Sequence, residues 1–542
     1  MLKRLFVSRS GHERLLVPAL AAFIVTLAVG FAIGSYASLH ASSEEERASS
    51  LTASGKFAAA EAIYVQLLHE RPNMAIVLAF LDNHARAITD RIRRRLQSQS
   101  FDDPMQKSEG AILDEEAIDA MLAHDLPPDV SLLGRFWRGV EKDAVSRAVR
   151  DQVLAGAKRE PPLPWHNHLL GREAEQSGAL LDAAGYYERE GMTFPERASD
   201  VDGALNLWMN VDAWDHVRGR LQDARVWAAA GNLTKYRFAV HERDWKAAVW
   251  ELTLSWKKRW HGAGLWMSAV SALAWAFMCA RLGKLGERPK FRIPLYVVAF
   301  GLGVASVIPT MFLIAVEESR LKLIETGDVV RDMLFYVFGV GLREEASKAL
   351  LFLPLVPILR RWGDKLDVLV AGAMVGLGFA AEENIDYVAQ GALHSGLARF
   401  LTANFLHMAM TGIFATALYE FLSDRERYAA HFLRVSLFVV GLHGAYDFFL
   451  SHEELGGSYF AMTVFLFLTK PFLDAVDAAR RRADKGISVL QAFVLAIAVV
   501  TGVTFVYATH AVGPQQAALM MTQGLVGVAI LLFFFVRSLR AM

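Results

Sequence analysis

Long apolar stretches alternate with short polar connections through the second half of the chain. A helix that crosses a membrane needs about 20 mostly apolar residues, and ten stretches of this kind occur, one near the N-terminus and nine after residue 260. The predicted spans are residues 15–39, 262–281, 293–316, 332–359, 366–388, 398–422, 432–450, 459–475, 488–509 and 516–536.

The region between the first two spans, residues 41–258, contains no such stretch, and its Ala, Leu, Glu and Arg residues recur at helical spacing. Two segments, 55–72 and 178–195, share a frame in which glycine opens a helix, a tyrosine (Tyr64 or Tyr187) lies on the inner face and proline ends it. This frame resembles the second half of a tetratricopeptide repeat, although the segments do not follow its period of roughly 34 residues. We therefore expect an α-helical tetratricopeptide-like domain, which would act either as a peptide-docking surface or as a helical spacer.

Composition identifies the class of protein. In a chain of 542 residues, 54% hydrophobic and only 21% charged residues are typical of a membrane protein. The 57 basic and 57 acidic residues cancel, so no overall field favours nucleic acid as a partner. The single cysteine, Cys279, excludes an intramolecular disulfide framework and a cysteine-rich metal site.

Basic residues indicate how the predicted spans are oriented. Lys and Arg cluster at every second connection, as expected when they are retained on the cytoplasmic side. The connections without Lys or Arg are 389–397, 451–458 and 510–515. We predict a multi-pass plasma-membrane protein with both termini cytoplasmic, residues 41–258 extracytoplasmic, and a nine-helix bundle over 259–542. Residues 1–40 are expected to form an uncleaved membrane anchor; the alternative is a signal peptide cleaved near Ala41.

Ionisable side chains are concentrated in four consecutive spans. Inserting such a side chain at the centre of a membrane helix costs about 2.5–3.5 kcal/mol, so we expect it to have an interaction partner or a functional role. The polar residues of these spans are Glu344, Glu345, Lys348, Glu383, Asn384, His407, His443 and Asp447. At 1.5 Å per residue, Glu344, His407 and His443 lie roughly 18, 13 and 10 Å from the outer ends of their spans. They can therefore share one outward-facing cavity.

Spacing within the spans suggests how these groups are paired. Lys348 follows Glu344 by four residues and Glu345 by three, so it can compensate one carboxylate while the other faces water. His443 and Asp447 are four residues apart and lie on one helix face, so the carboxylate can orient the imidazole.

The same residue types can perform amide hydrolysis in two ways. A glutamate with two histidines can supply the general base, the oxyanion stabiliser and the acid for the leaving nitrogen. Two histidines and one carboxylate can alternatively bind zinc with an open position, and we expect His407, His443 and Glu383 as those ligands. Neither a His-Glu-x-x-His motif nor a Gly-x-Ser-x-Gly elbow occurs in the sequence.

These motifs, taken in order, resemble the PrsW family of intramembrane proteases, relatives of the CAAX-processing and bacteriocin-immunity-type membrane proteases. The resemblance covers about residues 332–450 and consists of Glu344-Glu345-x-x-Lys348, Gly-Phe-Ala-x-x-Glu383-Asn384-x-x-Tyr387, His407 and His443-x-x-x-Asp447. It implies hydrolysis of peptide bonds in membrane-protein substrates, near or within the bilayer.

The resemblance also implies roles for individual residues. Glu344 would be the general base and Glu345 its partner. His407 would contact water or metal, and His443 with Asp447 would serve the oxyanion or a ligand. Lys348, Glu383 and Asn384 would support them. The family is often called metallo whereas its CAAX relatives resemble glutamate-dependent enzymes, so both mechanisms stay open. Ala403 stands where those relatives have Phe, and the large helical domain is not part of the family pattern.

Two other functions are compatible with the sequence. Buried carboxylates and histidines also occur in proton- or ion-coupled transporters, although those predict inverted repeats that the spans do not display. A non-catalytic membrane scaffold that binds partners through the tetratricopeptide-like domain is the third interpretation.

Overall fold

Two compact units make up the computed structural model, one comprising Ser38–Glu251 and the other the chain from Leu252 onward together with Met1–Ala37. The division falls within a single helix, Trp245–Arg259. The structure describes residues 43–53, 57–97, 112–260, 262–317, 325–389, 393–452, 457–480, 488–512 and 529–539, and isolated residues at 321, 323, 517, 518, 520–522 and 524. The first predicted span, 15–39, lies outside the described residues.

The described part of the first unit is helical throughout and contains no strand. Its helices are α1 (Glu44–Ala53), α2 (Phe57–Glu70), α3 (Met74–Gln97), α4 (Glu115–His124), α5 (Pro128–Glu141), α6 (Arg147–Ala157), α7 (His166–Gln176), α8 (Leu180–Thr193), α9 (Ala198–Asn210), α10 (Trp214–Arg220), α11 (Ala224–Ala229), α12 (Asn232–His241) and α13 (Trp245–Arg259). A short 3-10 turn, Pro195–Arg197, precedes α9.

Helix boundaries in this unit follow from local chemistry. Asp114 caps α4 by accepting a hydrogen bond from the backbone N–H of Ala117, and Ser146 caps α6 in the same way through Val149. The two tyrosines of the repeated frame, Tyr64 and Tyr187, are buried in two separate hydrophobic clusters. The unit is therefore a series of packed helices, and its tetratricopeptide-like character stays a prediction.

The second unit is also helical in its described residues. Its helices are α14 (Gly262–Leu282), α15 (Pro289–Ala305), α16 (Val307–Val316), α17 (Val329–Leu334), α18 (Leu342–Phe352), α19 (Val356–Trp362), α20 (Lys365–Ala389), α21 (Leu393–Ser423), α22 (Arg425–Ser451), α23 (Gly457–Arg480), α24 (Val489–Val512) and α25 (Ala529–Leu539). A π-helical segment, Phe335–Gly341, joins α17 to α18, and a 3-10 turn, Leu353–Leu355, joins α18 to α19.

Six helical segments among the described residues are long and apolar enough to cross a membrane, which makes the chain a multi-pass membrane protein. They are Gly264–Leu282, Pro289–Ile314, Lys365–Ile385, Arg399–Ser423, Arg425–Ser451 and Val489–Thr509. The predicted span 332–359 is covered by consecutive helical elements, α17, the π-helical segment, α18, the 3-10 turn and α19, and it carries too many charged residues to belong to this set of apolar segments. The count of ten spans therefore stays a prediction.

Helix α20 is the centre of this unit. Its buried residues belong to the same hydrophobic cluster as those of α14, α15 and α21. Of the apolar residues within Lys365–Ile385, nearly all are buried within the protein. The same cluster includes Phe352 of α18 and Val439 of α22. The four helices that carry the ionisable residues, α18, α20, α21 and α22, therefore pack against one core.

Candidate active site

The helix that carries the acidic pair begins at an irregular turn. The π-helical segment ends at Gly341, directly before α18, and π-helical turns are frequent at functional sites. A Cβ atom at Gly341 would come within 2.7 Å of the carbonyl oxygen of Val440, and one at Gly444 would come within 2.4 Å of the Cα atom of Val337. These two glycines allow α22 to touch the π-helical segment, which brings His443 beside α18.

A second pair of glycines brings His407 to the same place. A Cβ atom at Gly372 would lie 2.5 Å from the Cβ atom of Ala415, and one at Gly376 would lie 2.1 Å from the carbonyl oxygen of His407. Glycine at both positions lets α20 approach α21 closely, as small residues do between membrane helices. The backbone of His407 is therefore fixed against α20.

Lys348 joins the two adjacent glutamates of α18. Its ammonium nitrogen Nζ lies 2.8 Å from Oε1 of Glu345 and 3.3 Å from Oε2 of Glu344. Glu345 is completely enclosed, and its second oxygen accepts a hydrogen bond of 3.3 Å from the hydroxyl of Thr411. Glu344 keeps 9% of its side chain accessible. The lysine therefore compensates mainly Glu345, and Glu344 is the more available carboxylate.

The ring of His443 is oriented by Glu345. Its Nδ1 lies 2.9 Å from Oε1 of Glu345, so the Nδ1 hydrogen is donated to that carboxylate. When the ring is neutral, its Nε2 carries a lone pair, and this buried atom makes no hydrogen bond within the described structure. Nε2 lies 3.4 Å from Oε2 of Glu344 and 3.4 Å from Oδ2 of Asp447. A lone pair between two carboxylates requires a proton, a water molecule or a cation between them.

His407 is held from both sides. Lys348 Nζ lies 2.9 Å from its Nδ1, and its Nε2 lies 3.1 Å from Oε2 of Glu383. The other oxygen of Glu383 lies 3.0 Å from Nη2 of Arg399. The ring centroids of His407 and His443 are 5.2 Å apart. The two histidines predicted from separate spans therefore meet in one cluster.

Asn384 occupies the edge of this cluster rather than its centre. Its side-chain oxygen accepts a hydrogen bond from Arg399, and its amide nitrogen donates to Asn404. Asn404 in turn donates to the hydroxyl of Ser271 on α14. This chain of polar contacts positions Arg399, and through it Glu383.

The cluster has an excess of negative charge. Its four carboxylates exceed its two fixed cations, which leaves a formal charge of about −2 if both histidines are neutral. The carboxylates are those of Glu344, Glu345, Glu383 and Asp447, and the cations are Lys348 and Arg399. In a low-dielectric environment such an excess favours protonation or a bound cation.

The donor set fits a divalent metal ion. Glu344, His407 and His443 each offer one ligand atom, and these atoms all lie within 4.8 Å of one another. Two ligands at about 2.0–2.1 Å from a tetrahedral zinc ion are roughly 3.4 Å apart, which equals the separation of His443 Nε2 from Glu344. Glu383, which the sequence grouped with the histidines, contacts His407 and Arg399 instead. Either Lys348 or Glu383 would have to move away from His407 before that ring could bind the ion.

Two residues of the cluster were not predicted from the sequence. Thr411 binds Glu345, and Arg399 binds Glu383 while its guanidinium carbon lies 3.3 Å from the ring centre of Tyr387. A signal for Arg399 existed, because a basic residue within the outer end of a predicted span opposes the usual charge distribution. Thr411 gives no such signal, since threonine is common in membrane helices.

Comparison with known proteins identifies related sequences over the region that contains this cluster. A family model described as PrsW family intramembrane metalloprotease matches residues 292–470. The chain is 25% identical over 175 residues to Protease PrsW of Clostridioides difficile (strain 630), an alignment that covers 31% of this chain and 74% of that protein. It is 32% identical over 165 residues to Protease PrsW of Bacillus subtilis (strain 168), covering 29% of this chain and 71% of that protein. No solved structure matches the chain.

Proposed function

The chain belongs to the PrsW protease family, and from this membership we propose that it is an intramembrane endopeptidase whose hydrolytic site is the cluster around His443. The observation that carries the proposal is the buried Nε2 atom of His443, which has no hydrogen bond and faces the carboxylates of Glu344 and Asp447. The ligand atoms of Glu344 and His407 lie within 4.8 Å of that of His443, so the three residues can bind a water molecule or a cation, as hydrolysis requires.

In the proposed mechanism Glu344 is the general base. It accepts a proton from the attacking water as the oxygen of that water bonds to the carbonyl carbon of the substrate. When the C–N bond breaks, the same proton passes from Glu344 to the leaving nitrogen. As the water attacks, the negative charge passes from Glu344 to the carbonyl oxygen of the substrate, and the ammonium group of Lys348, 3.3 Å from Glu344, offsets part of it. Glu345 fixes the ring of His443, so that Nε2 faces the reacting atoms.

A resident zinc ion is compatible with the same residues. Glu344, His407 and His443 would hold it, and when bound it would polarise the water or the carbonyl oxygen of the substrate. In that case Glu345 and Lys348 retain their positioning roles, because their contacts with His443 and His407 orient the two rings.

The substrate class and the placement in the membrane are proposed on chemical grounds. We infer a multi-pass protein of the plasma membrane, with cytoplasmic termini and residues 41–258 outside, from the alternation of basic connections. The helical unit would then capture part of a membrane-protein substrate near the extracytoplasmic face. In a Cys279→Ala background, an impermeant maleimide should label Lys158→Cys in intact cells but not Arg361→Cys, and the opposite result would reverse the topology.

The activity is tested with a panel of single-span reporter proteins tagged at both ends and co-expressed with the full chain. Cleavage should be lost with Glu344→Gln and with His443→Ala. Glu382→Gln is the matched control, because Glu382 is also buried on α20 but accepts a hydrogen bond from Trp256 outside the cluster. Unchanged cleavage in both cluster variants would remove this site from the mechanism. Loss of cleavage after metal depletion, restored by zinc, would select the metal-dependent form.

A further inference from the structure

A second histidine and carboxylate cluster lies at the opposite end of α17 from the catalytic helix α18. Its central residue is Asp332, whose side chain is completely buried. Oδ1 of Asp332 accepts hydrogen bonds from the backbone N–H of Thr326 at 2.7 Å and from its hydroxyl at 3.0 Å, and Oδ2 accepts one from the N–H of Gly327 at 2.9 Å. The carboxylate is therefore held in a fixed orientation.

His452 faces this carboxylate from the end of α22. Its Nδ1 lies 3.1 Å from the carbonyl oxygen of Phe448 and donates its hydrogen there. Its Nε2 thus carries the lone pair, and it lies 3.5 Å from Oδ2 of Asp332. The residue is 6% exposed, and its ring stacks on that of Phe448 with centroids 4.3 Å apart. The ring is consequently fixed with its lone pair directed at a carboxylate.

Glu325 supplies a third ligand atom. The hydroxyl of Tyr336 lies 3.2 Å from its Oε1 and 2.7 Å from the hydroxyl of Ser451, so Tyr336 connects the carboxylate to the end of α22. One ligand atom from each of Glu325, Asp332 and His452 lies within 4.8 Å of the others. The described part of the chain provides no Lys or Arg that pairs with either carboxylate. Among the described residues, two carboxylates without a basic partner thus face Nε2 of His452.

The distance between His452 and Asp332 distinguishes two ways to compensate the charge of the carboxylates: a protonated imidazole or a bound metal ion. A charge-assisted hydrogen bond from an imidazolium to a carboxylate is about 2.7–2.9 Å long, which is clearly shorter than the 3.5 Å observed. Two ligands of one tetrahedral zinc ion are roughly 3.4 Å apart, since each lies about 2.0–2.1 Å from the metal. The 3.5 Å separation of Nε2 from Oδ2 is therefore compatible with two ligands of one ion and too long for a charge-assisted hydrogen bond.

We propose that Glu325, Asp332 and His452 form a zinc-binding site distinct from the candidate active site. It has the nitrogen and oxygen ligands that zinc prefers. The ion would tie the start of α17, which continues into the helix carrying Glu344, to the end of α22, which carries His443. It would thereby fix the two helices that must meet in the hydrolytic cluster.

The test uses the full chain in detergent micelles with the first cluster disabled by His407→Ala and His443→Gln. Purified protein is titrated with Co²⁺, whose visible absorption reports tetrahedral ligands, and then with Zn²⁺, counted by elemental analysis. We expect one ion per chain. Replacement His452→Phe, which keeps the stacking on Phe448, should weaken binding by more than about 100-fold, the upper range for changes outside the direct ligands.

Controls separate this site from nonspecific binding. Glu325→Gln changes an exposed ligand and leaves the hydrogen bonds of Asp332 with Thr326 and Gly327 in place, and it should also weaken binding. His431→Phe is the matched control, because His431 is exposed and 3.9 Å from Glu420, and it should leave binding unchanged. The proposal is overturned if the disabled chain binds no metal, or if His452→Phe and Glu325→Gln bind zinc as tightly as their parent. These readouts do not depend on cleavage, so failure of the protease proposal leaves them interpretable.

Discussion

Two completely buried carboxylates, one in each unit of the protein, are stabilised by different kinds of partner. In the helical unit, Glu190 is fully buried and accepts hydrogen bonds from the backbone N–H groups of Trp165 at 2.5 Å and His168 at 3.3 Å. In the membrane unit, Glu345 is equally buried, yet its partners are the side chains of Lys348 and His443. A carboxylate bound by backbone donors fixes a fold, whereas one bound by titratable side chains is linked to their protonation.

Glycine shows the same contrast. At Gly171 in the helical unit, a Cβ atom would meet the ring of Tyr187 at 2.7 Å, a side chain that can turn aside. At Gly376 in the membrane unit, it would meet the backbone oxygen of His407 at 2.1 Å. A side chain therefore separates the helices at Gly171, whereas two backbones meet at Gly376. The geometry of the membrane cluster is therefore set by the helices themselves.

The sharpest test of the first contrast compares Glu345→Ala with Glu190→Ala. Removing Glu345 takes the closest anion from a completely buried ammonium group, so we expect a loss of about 3–5 kcal/mol in the free energy of unfolding. Removing Glu190 leaves two backbone N–H groups without an acceptor, for which about 1–3 kcal/mol is expected. Denaturant titration of the full chain in micelles measures both losses.

A compensating variant shows which interaction is responsible. The double replacement Glu345→Ala and Lys348→Met removes both charges, so it should recover most of the lost stability without restoring cleavage of reporter substrates. If Glu345→Ala and Glu190→Ala lose equal free energy of unfolding, the buried charges of the membrane unit only stabilise the fold. The proposed difference between the two carboxylates would then be wrong.

The second contrast is tested by Gly376→Ala. The added methyl group must push α21 away from α20, and overpacking of this kind costs about 1–3 kcal/mol. Because His407 itself is displaced, we expect cleavage to fall more than stability does. Gly441→Ala is the control, since a Cβ atom there would meet nothing within 4 Å. Normal cleavage by Gly376→Ala would show that the position of His407 tolerates movement.

Much of the membrane cluster could be predicted because the cost of burying charge makes each ionisable residue of a span conspicuous. Glu344, Glu345, Lys348, His407 and His443 stand out for this reason, and the structure brings them together. The pairing of Lys348 with both glutamates follows from helical periodicity alone. The glycine positions that allow α20 to approach its neighbour are also visible in the sequence.

Other features depend on packing that the sequence does not encode locally. The π-helical segment, Phe335–Gly341, is apolar and reads as ordinary helix, so the interruption before α18 could not be predicted. The choice of Glu344 rather than Glu383 beside His443 depends on Arg399, which binds Glu383 from the start of α21. His452 lies at the edge of a predicted span, where the sequence does not indicate a partner for it, and only the fold brings it to Asp332.

The smallest effect expected is a pH dependence in the helical unit. Burial raises the pKa of Glu190 above its usual value near 4.5, because the charged carboxylate loses its water. Between that value and the raised pKa, the folded unit binds more protons than the unfolded chain. The free energy of unfolding should therefore fall as pH rises through this interval.

Glu190→Gln isolates this contribution, because glutamine cannot release a proton but keeps an oxygen acceptor for the backbone of Trp165. Urea unfolding of residues 43–251, which contain their own hydrophobic clusters, should show a shallower decline with pH in this variant than in wild type. Glu196→Gln, at an exposed position of the same unit, provides the matched control. Identical pH profiles for wild type and Glu190→Gln would mean that the backbone hydrogen bonds offset the burial of the charge. Glu190 and Glu345 would then be equally stabilised by their surroundings, and the membrane cluster would differ by the ligand atoms of Glu344, His407 and His443, which lie within 4.8 Å of one another.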